Sequence, residues 1–467
     1  MAGHRSGKRA TALRSPRFWA LLLCAASASA SAQEPPRLGT PGAALRAERP
    51  DTAGLETFVA HALAAHPSVR AAAERVRAAR ARVVPAGTWP DPMLMAGIQN
   101  LPVSDPGFGD EMTMKMVGVS QTIPFPGRTR LRRDAASSEV AAAEARLRAA
   151  RLELARRVRD AYYEIAYLDQ ALEILARNQA LLADFIRITE SRYGVGTGPQ
   201  QDVLKAREEA AGLAAEAAAL TEQRRAAQAR LNETLDRFSE SPIPTIRMPG
   251  RIASLAAPGS PGSVRFVSPA LGARAAGSPL PPLLAVEEMA VANSPELAEQ
   301  EAMVQAAALR VELARLEVRP DIDVSLQYGH RDGMPDMVSA SVAVPLPLNR
   351  RRRQDLGVTE AQAELAAAEA ARHQARNQVR LEVARLYSEL ERDRTQLALY
   401  VGSIIPHARA SLESATAGYQ VGRVDLLALL DAQATLFNYE TEYHRLLSDF
   451  AQRLAEMERV IGREVLP

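Results

Sequence analysis

The chain writes one structural plan twice, and each copy carries a helix too long for a globular domain. His66-Pro67-Ser68 opens a helical stretch, and a strand-like pair follows. Next come Pro124-Phe125-Pro126-Gly127-Arg128, a long Ala/Arg/Glu helix and Tyr193-Gly194-Val195-Gly196. Ser294-Pro295-Glu296 then restarts the plan, which runs through Pro345-Leu346-Pro347-Leu348-Asn349-Arg350 to Tyr419-Gln420-Val421-Gly422. These landmarks recur about 221 to 228 residues apart, whereas solenoid units span only about 20–50 residues. The unit of repetition is therefore a half-protein.

From Arg128 to Tyr193 there is no glycine or proline. At 1.5 Å rise per residue this permits a helix of about 100 Å. The glycines and proline of Tyr193–Pro199 make a tight turn, and a second long helix returns over about Gln200–Arg237. The second copy predicts a helix over Leu283–Val318, a long helix from about Arg351 weakened at Gly402 and Pro406, a turn at Tyr419–Arg423, and a last helix over Asp425–Ile461. Hydrophobic residues reach 47% with aromatics at only 4%, and charged residues at 24%. That balance suits closely packed helices of coiled-coil type and not a thick core.

Strands are expected at 91–101 and 112–123, joined by a turn-rich loop at 102–111. A second pair is expected at 321–330 and 336–346, where polar and apolar residues alternate cleanly. Four strands cannot close a membrane barrel, since the smallest have eight. A lone sheet cannot sit in lipid either, because its edge groups would be unsatisfied. Several chains lending a share each would solve both problems.

Residues 1–32 read as a signal peptide. Arg5, Lys8, Arg9, Arg14 and Arg17 precede the short apolar run Phe18–Ala26, and Ala30-Ser31-Ala32 supplies small residues for cleavage. Cys24, the one cysteine, follows Leu23 where a lipoprotein signal wants a small residue, so it is expected to leave with the signal. The division that results is 33–54 as a flexible lead-in, 55–237 as the first repeat, 238–282 as a Pro/Gly-rich connector with little or no core, and 283–467 as the second repeat. A net charge of +2 gives no reason to invoke nucleic acid.

This arrangement resembles the TolC-like outer-membrane efflux protein family over about 55–464. The resemblance is carried by the duplicated plan, by Gln121-Thr122-Ile123-Pro124-Phe125-Pro126-Gly127, and by Gly418-Tyr419-Gln420-Val421-Gly422 followed by Leu427-Ala428-Leu429-Leu430-Asp431-Ala432-Gln433. It implies a mainly α protein with a small β part. Long antiparallel helical hairpins would form a periplasmic α-barrel, and four strands per chain a trimeric 12-stranded outer-membrane β-barrel. The partners implied are two further copies, a periplasmic adaptor, and an inner-membrane pump of the proton-driven resistance-nodulation-division type. The location implied is the outer membrane of a Gram-negative bacterium, extending into the periplasm. No cofactor is implied.

The resemblance places Asp431 at the tunnel gate and Tyr419 in the latch that holds it shut. A second gate acid found in some members is Ala428 here. Gly194, Val195, Gly196, Thr197 and Val421, Gly422, Arg423, Val424 fall on the adaptor-contact tips, although turn-making alone would also account for the glycines.

Arg128 and Arg130 follow the first strand pair, and Arg350, Arg351, Arg352 and Arg353 follow the second. Cations are disfavoured where a helix begins, so contact with lipid phosphates is the expected offset. Met93, Met95, Met112, Met114 and Met116 crowd the first strand pair. If Lys115 faces a lumen, the alternation turns Met112, Met114 and Met116 to lipid as apolar surface. The alternative is lumenal contact with a soft metal. Residues 90–127 are most similar to the heavy-metal-efflux branch, which implies metal cations as cargo. The histidines show no metal-binding spacing, and no nucleophile or phosphate-loop motif suggests an enzyme. The reading is a passive efflux channel. Its rivals are a drug or protein exporter of the same build and a periplasmic coiled-coil scaffold without a pore.

Overall fold

A computed structural model of the chain describes residues 54–103, 110–250, 252 and 280–463. The expected signal peptide, Cys24 and most of the lead-in lie outside the described residues.

Helix α1 (Leu55–Ala65) meets α2 (Pro67–Gly87) at His66, whose Nδ1 accepts from the Ser68 N–H at 3.2 Å and caps the new helix. Pro67 occupies the first helical position, where its missing N–H costs nothing. Strands β1 (Met93–Gln99) and β2 (Met114–Ile123) follow, and then α3 (Arg128–Gly194) runs for 67 residues. Helix α4 (Gln200–Thr234) returns along it. In the second copy, α5 (Leu283–Asn293) and α6 (Pro295–Leu316) replace the single helix expected over 283–318. The break falls at Ser294-Pro295, because Pro295 cannot donate the next helical hydrogen bond. Strands β3 (Ile322–His330) and β4 (Met337–Ala343) precede a 3₁₀ turn at Arg350–Arg352 and the long helix α7 (Gln354–Leu399). A π-helical segment, Tyr400–Ile404, joins α7 to α8 (Ile405–Gln420). Pro406 has no N–H to offer the Gly402 carbonyl, which is where the helix was expected to weaken. Helix α9 (Leu426–Ile461) closes the plan, capped by Asp425 Oδ1 accepting from the Ala428 N–H at 2.9 Å.

The helices bury narrow seams. In α4, the buried Val203, Ala206, Leu213, Leu220, Ala227 and Leu231, interleaved with the half-buried Ala210, Ala217 and Arg224, fall at alternating three- and four-residue steps. That is the spacing of a coiled-coil seam. Alanine at these positions lets α3 lie close to α2, α4, α6 and α9, while α7 packs on α5, α6 and α9. Among the described residues no helix is long and apolar enough to cross a membrane.

The connector departs from expectation. Ile243, Ile246, Ile252 and Leu280 are buried in the main core. The fully buried Asn232 amide donates to the carbonyls of Ser239 (3.0 Å) and Ser241 (2.8 Å). Asp169 pairs with Arg224 at 2.5 Å and accepts from the Ile246 N–H at 2.8 Å. The described part of 238–282 is thus pinned to α3 and α4 rather than lacking a core. Prolines and glycines set its path, and isolated isoleucines anchor it.

The four strands form one antiparallel sheet in the order β1-β2-β3-β4, so the two copies join through β2 and β3. Register places opposite residues on the same face. One face carries Leu94, Ala96, Ile98, Val117, Val119, Ile322, Val324, Leu326, Tyr328, Val338, Ala340 and Val342. The other carries Ser120, Thr122, Asp323, Ser325, Gln327, Ser339 and Ser341, together with Met93, Met95, Met114, Met116 and Met337. The apolar face is left exposed: Leu94 is 78% exposed, Val338 69% and Leu326 59%. On the polar face Ser325 and Gln327 are half-buried and Gly118 and Gly329 are buried. Water-soluble sheets show the reverse order.

Candidate functional site

The two hairpin tips fold alike. The Arg192 carbonyl accepts from the N–H groups of Thr197 (2.9 Å) and Gly198 (3.1 Å). In the second tip the Gly418 carbonyl accepts from Arg423 (2.8 Å) and Val424 (3.3 Å). Gly196 and Gly422 both stand at φ 74°, a left-handed backbone that a side chain would strain. Residues 194–197 and 421–423 are exposed and Val424 is half-buried, while Val195 and Val421 hold matching apolar side chains outward at 72% and 68% exposure.

Arg192 binds one tip to the other. Its Nη1 donates to the Tyr419 carbonyl at 3.0 Å, and its guanidinium stands 4.8 Å from the centroid of the Tyr419 ring. Tyr419 is 2% exposed, and its hydroxyl makes no hydrogen bond of good geometry among the described residues, although Arg192 lies close enough to favour its ionised form against burial and Asp202. The tyrosine is held mainly by its ring and backbone. Asp202, near the start of α4, also lies within the field of Arg192. Partial burial pushes its carboxyl up, Arg192 opposes this, and Asp425 adds to it. The sequence reading singled out neither Arg192 nor Asp202, because one arginine among many in a coiled-coil helix gives no signal until the tips meet.

Asp431 stands two turns above Tyr419's tip, exposed on α9 beside the exposed Leu427 and Ala428. Behind it, the buried Gln433 amide donates to the Asn178 carbonyl on α3 at 3.3 Å, which fixes the face that α9 turns inward. Asp431 forms no ion pair among the described residues.

The corner arginines divide. Arg128 is only 7% exposed. Its Nη1 pairs with Asp321 Oδ1 at 2.5 Å, and its Nη2 donates to the carbonyls of Leu316 (3.0 Å) and Arg319 (2.8 Å). Asp321 Oδ1 also accepts from the Phe125 N–H at 2.7 Å. The expectation of lipid-phosphate contact at Arg128 is therefore corrected. Its charge is spent on stitching the first copy's corner to the entrance of β3. Arg130, Arg351, Arg352 and Arg353 are exposed, as is Arg350, which reaches Asp355 at 3.2 Å.

The methionines are also redirected. Lys115 lies in register with the apolar face, opposite Ile98 and His330. Met114 and Met116 share the polar face with Met93 and Met95, so the condition under which Met114 and Met116 would supply apolar surface, Lys115 on the lumenal side, is not met. Met112 lies in the turn before β2 and is 64% exposed. Among the described residues no group of three or more His, Cys, Asp or Glu side chains could hold a metal ion.

With this geometry in view, residues 59–236 and 286–463 match the outer membrane efflux protein family, one copy of the duplication in each segment. The chain belongs to the outer membrane efflux protein family. It is 23% identical to the cobalt-zinc-cadmium resistance protein CzcC of Cupriavidus metallidurans over 414 residues, which span 88% of this chain and 90% of that one. The fold is similar to the outer membrane protein VceC of Vibrio cholerae, with a TM-score of 0.70 at 21% identity over 88% of this chain and 96% of that one. It is also similar to CusC, whose structures concern folding and transmembrane channel formation. There the TM-score is 0.70 at 17% identity, over 88% of this chain and 92% of that one.

As an outer membrane efflux protein, the chain lies in the outer membrane through its sheet and extends into the periplasm through its helices. A sheet with one nearly continuous, exposed apolar face is what a strand bundle in lipid requires. Helix α3 runs from the corner beside the sheet to the first tip, which sets the Arg192–Tyr419 contact a helix length away from the strands.

Proposed function

We propose that the protein is the outer-membrane channel of a tripartite efflux system, a passive conduit for metal cations delivered by an inner-membrane pump through a periplasmic adaptor. One observation carries the reading. A four-stranded sheet leaves a nearly continuous apolar face exposed, with β1 and β4 as open edges. Open edges are not tolerated in lipid, and three copies would supply twelve strands and close them. The pump partner this reading implies is of the proton-driven resistance-nodulation-division type, since the channel itself supplies no energy.

In that trimer Tyr419, held by Arg192, is the latch, and three copies of Asp431 form an acidic ring at the narrow neck. A carboxylate ring favours cations over anions. Gly194–Thr197 and Val421–Val424 are the adaptor contacts, with Val195 and Val421 as their apolar centres. Arg130 and Arg350–Arg353 face the inner-leaflet phosphates at the corner between sheet and helices. The likeness to a cobalt-zinc-cadmium resistance protein supports metal cations as the cargo class.

The test is growth of a strain lacking the gene on cobalt, zinc, cadmium, copper and silver salts and on dyes, detergents and antibiotics, with and without the gene restored. Sensitivity confined to metals is the expected result. Sensitivity confined to organic compounds would overturn the cargo assignment. A purified protein that forms no SDS-resistant trimer and no conductance in planar bilayers would overturn the channel itself.

A further inference from the structure

All five methionines of the four strands lie on the polar face, and none lies on the apolar face. Apolar filling is not their role, because the face opposite theirs is held mainly by Leu, Val, Ile, Ala and Tyr, with Lys115, Gln121 and His330 as its polar members. Three of the five converge. Across the sheet, Gly97, Met116, Gly329 and Met337 occupy one register row, so two methionines flank a glycine on the intervening strand. Neighbouring strands are about 4.8 Å apart, which leaves Met116 and Met337 separated by roughly two strand spacings across an open floor.

Met114 comes in from the diagonal. Its Sδ stands 3.3 Å from the point that a Cβ on Gly329 would occupy. The absence of a side chain at Gly329 is what lets a thioether settle there. Met114 and Met116 are half-buried and Met337 is 44% exposed, so the group is held in place yet open on the polar side.

We propose that Met114, Met116 and Met337 around Gly329 form a thioether contact site for soft monovalent cations, silver(I) or copper(I), on the inner wall of the barrel. This rests on the channel reading above and names a class of cargo within it. Thioether sulfur is a soft, neutral donor that suits copper(I), whereas cobalt(II), zinc(II) and cadmium(II) are better served by imidazole, carboxylate or thiolate. Neutral donors also suit a conduit, since a site on a permeation path must bind weakly enough to release. The neighbouring rows supply Gln99, Gln327 and Ser339, which can keep water on the ion as it moves.

The experiment uses the purified full-length trimer in detergent, free of chloride, equilibrated with silver nitrate or zinc sulfate, desalted and assayed for metal per chain. The variants are Met114→Leu/Met116→Leu/Met337→Leu together, which keeps side-chain volume, and Gly329→Val, which retains every sulfur but fills the floor. We expect the wild type to retain silver and both variants to bind it about tenfold more weakly or worse, with zinc retention unchanged and potassium chloride conductance equal in all three. A wild-type protein that retains no silver, or leucine and valine variants that retain as much as the wild type, would overturn the site. Because the assay reads purified protein, its failure is separate from that of the cargo reading, which growth of the deletion strain decides.

Discussion

Arg192 should hold the channel shut, and the contact can be weighed. A hydrogen bond from a charged donor contributes about 1.5–3 kcal/mol, and the Nη1 to Tyr419 carbonyl bond at 3.0 Å is of this kind. A guanidinium over an aromatic face adds about 0.5–2 kcal/mol, and here the separation is 4.8 Å beside a 2%-exposed ring. Removing both in Arg192→Ala should cost the closed state about 2–5 kcal/mol. The low end already shifts the closed-to-open equilibrium about 30-fold. In planar bilayers without adaptor, the variant should show markedly higher open probability, and cells carrying it should admit a bulky antibiotic excluded by the wild type. Tyr419→Phe keeps the ring and the carbonyl and loses a hydroxyl that makes no hydrogen bond of good geometry and on which Arg192 acts less than burial does, so it should stay close to wild type. Tyr419→Ala, which loses the ring alone, should fall between. If Tyr419→Phe opens the channel as far as Arg192→Ala, the hydroxyl is the latch and this reasoning fails.

Other perturbations separate the structural charges from the functional ones. Arg128→Met removes the charge partner of Asp321, which keeps only the Phe125 N–H, and a donor from two carbonyls, and should destabilise the corner by about 3 kcal/mol, read as a lower melting temperature of the trimer. Arg351→Gln/Arg352→Gln/Arg353→Gln should leave melting unchanged and lower the yield of membrane-inserted trimer, and an equal yield would remove lipid phosphate from the account. Asp431→Asn should reduce cation-over-anion selectivity measured by reversal potential, and unchanged selectivity would place Asp431 outside the neck. His444 on α9 is pushed down to about 4 by burial and Arg177, against Glu440 and Glu173. Its folded pKa is below the unfolded value, so this stability is present above about pH 6.5 and is lost as pH falls through 4, about 3 kcal/mol in all. Asp160, pushed up to about 6 mainly by burial and by Glu456 and Glu153 against Arg156, runs the other way, gaining stability as pH falls below 6. His444→Gln should therefore resist acid better than wild type between pH 6.5 and 4, and parallel melting curves for the two would refute the linkage.

Much of the architecture was legible in one dimension. Sixty-odd residues without a helix breaker announce α3, since nothing local can end it before Gly194. Alternation announced the strands, although pairing ends inside the expected limits: 91–101 became Met93–Gln99 and 336–346 became Met337–Ala343. Strand ends depend on a hydrogen-bonded neighbour, which periodicity does not reveal. The break at Ser294-Pro295 was legible in principle, because the first copy breaks at His66-Pro67 in the same place. The connector misled because four well-placed aliphatic residues in 45 of Pro/Gly-rich sequence do not register as a core until they find α3 and α4.

What the sequence determined by itself was whatever depends on neighbours along the chain: helix length, turn position, the duplication, and which residues alternate. Tertiary structure decided everything that depends on neighbours across space. Alternation shows that Met114, Met116 and Met337 share a face with their own strand-mates, but only the β2–β3 and β3–β4 registers place them around Gly329 on the polar side. A basic run looks uniform in sequence, yet burial against Asp321 makes Arg128 a structural clasp while Arg351–Arg353 remain in solvent. Arg192 and Tyr419 sit in different copies of the plan and meet because long antiparallel helices carry both turns to one end. Charge, polarity and period are local properties of a residue; its partner is set by the packing of helices and strands far apart in the chain.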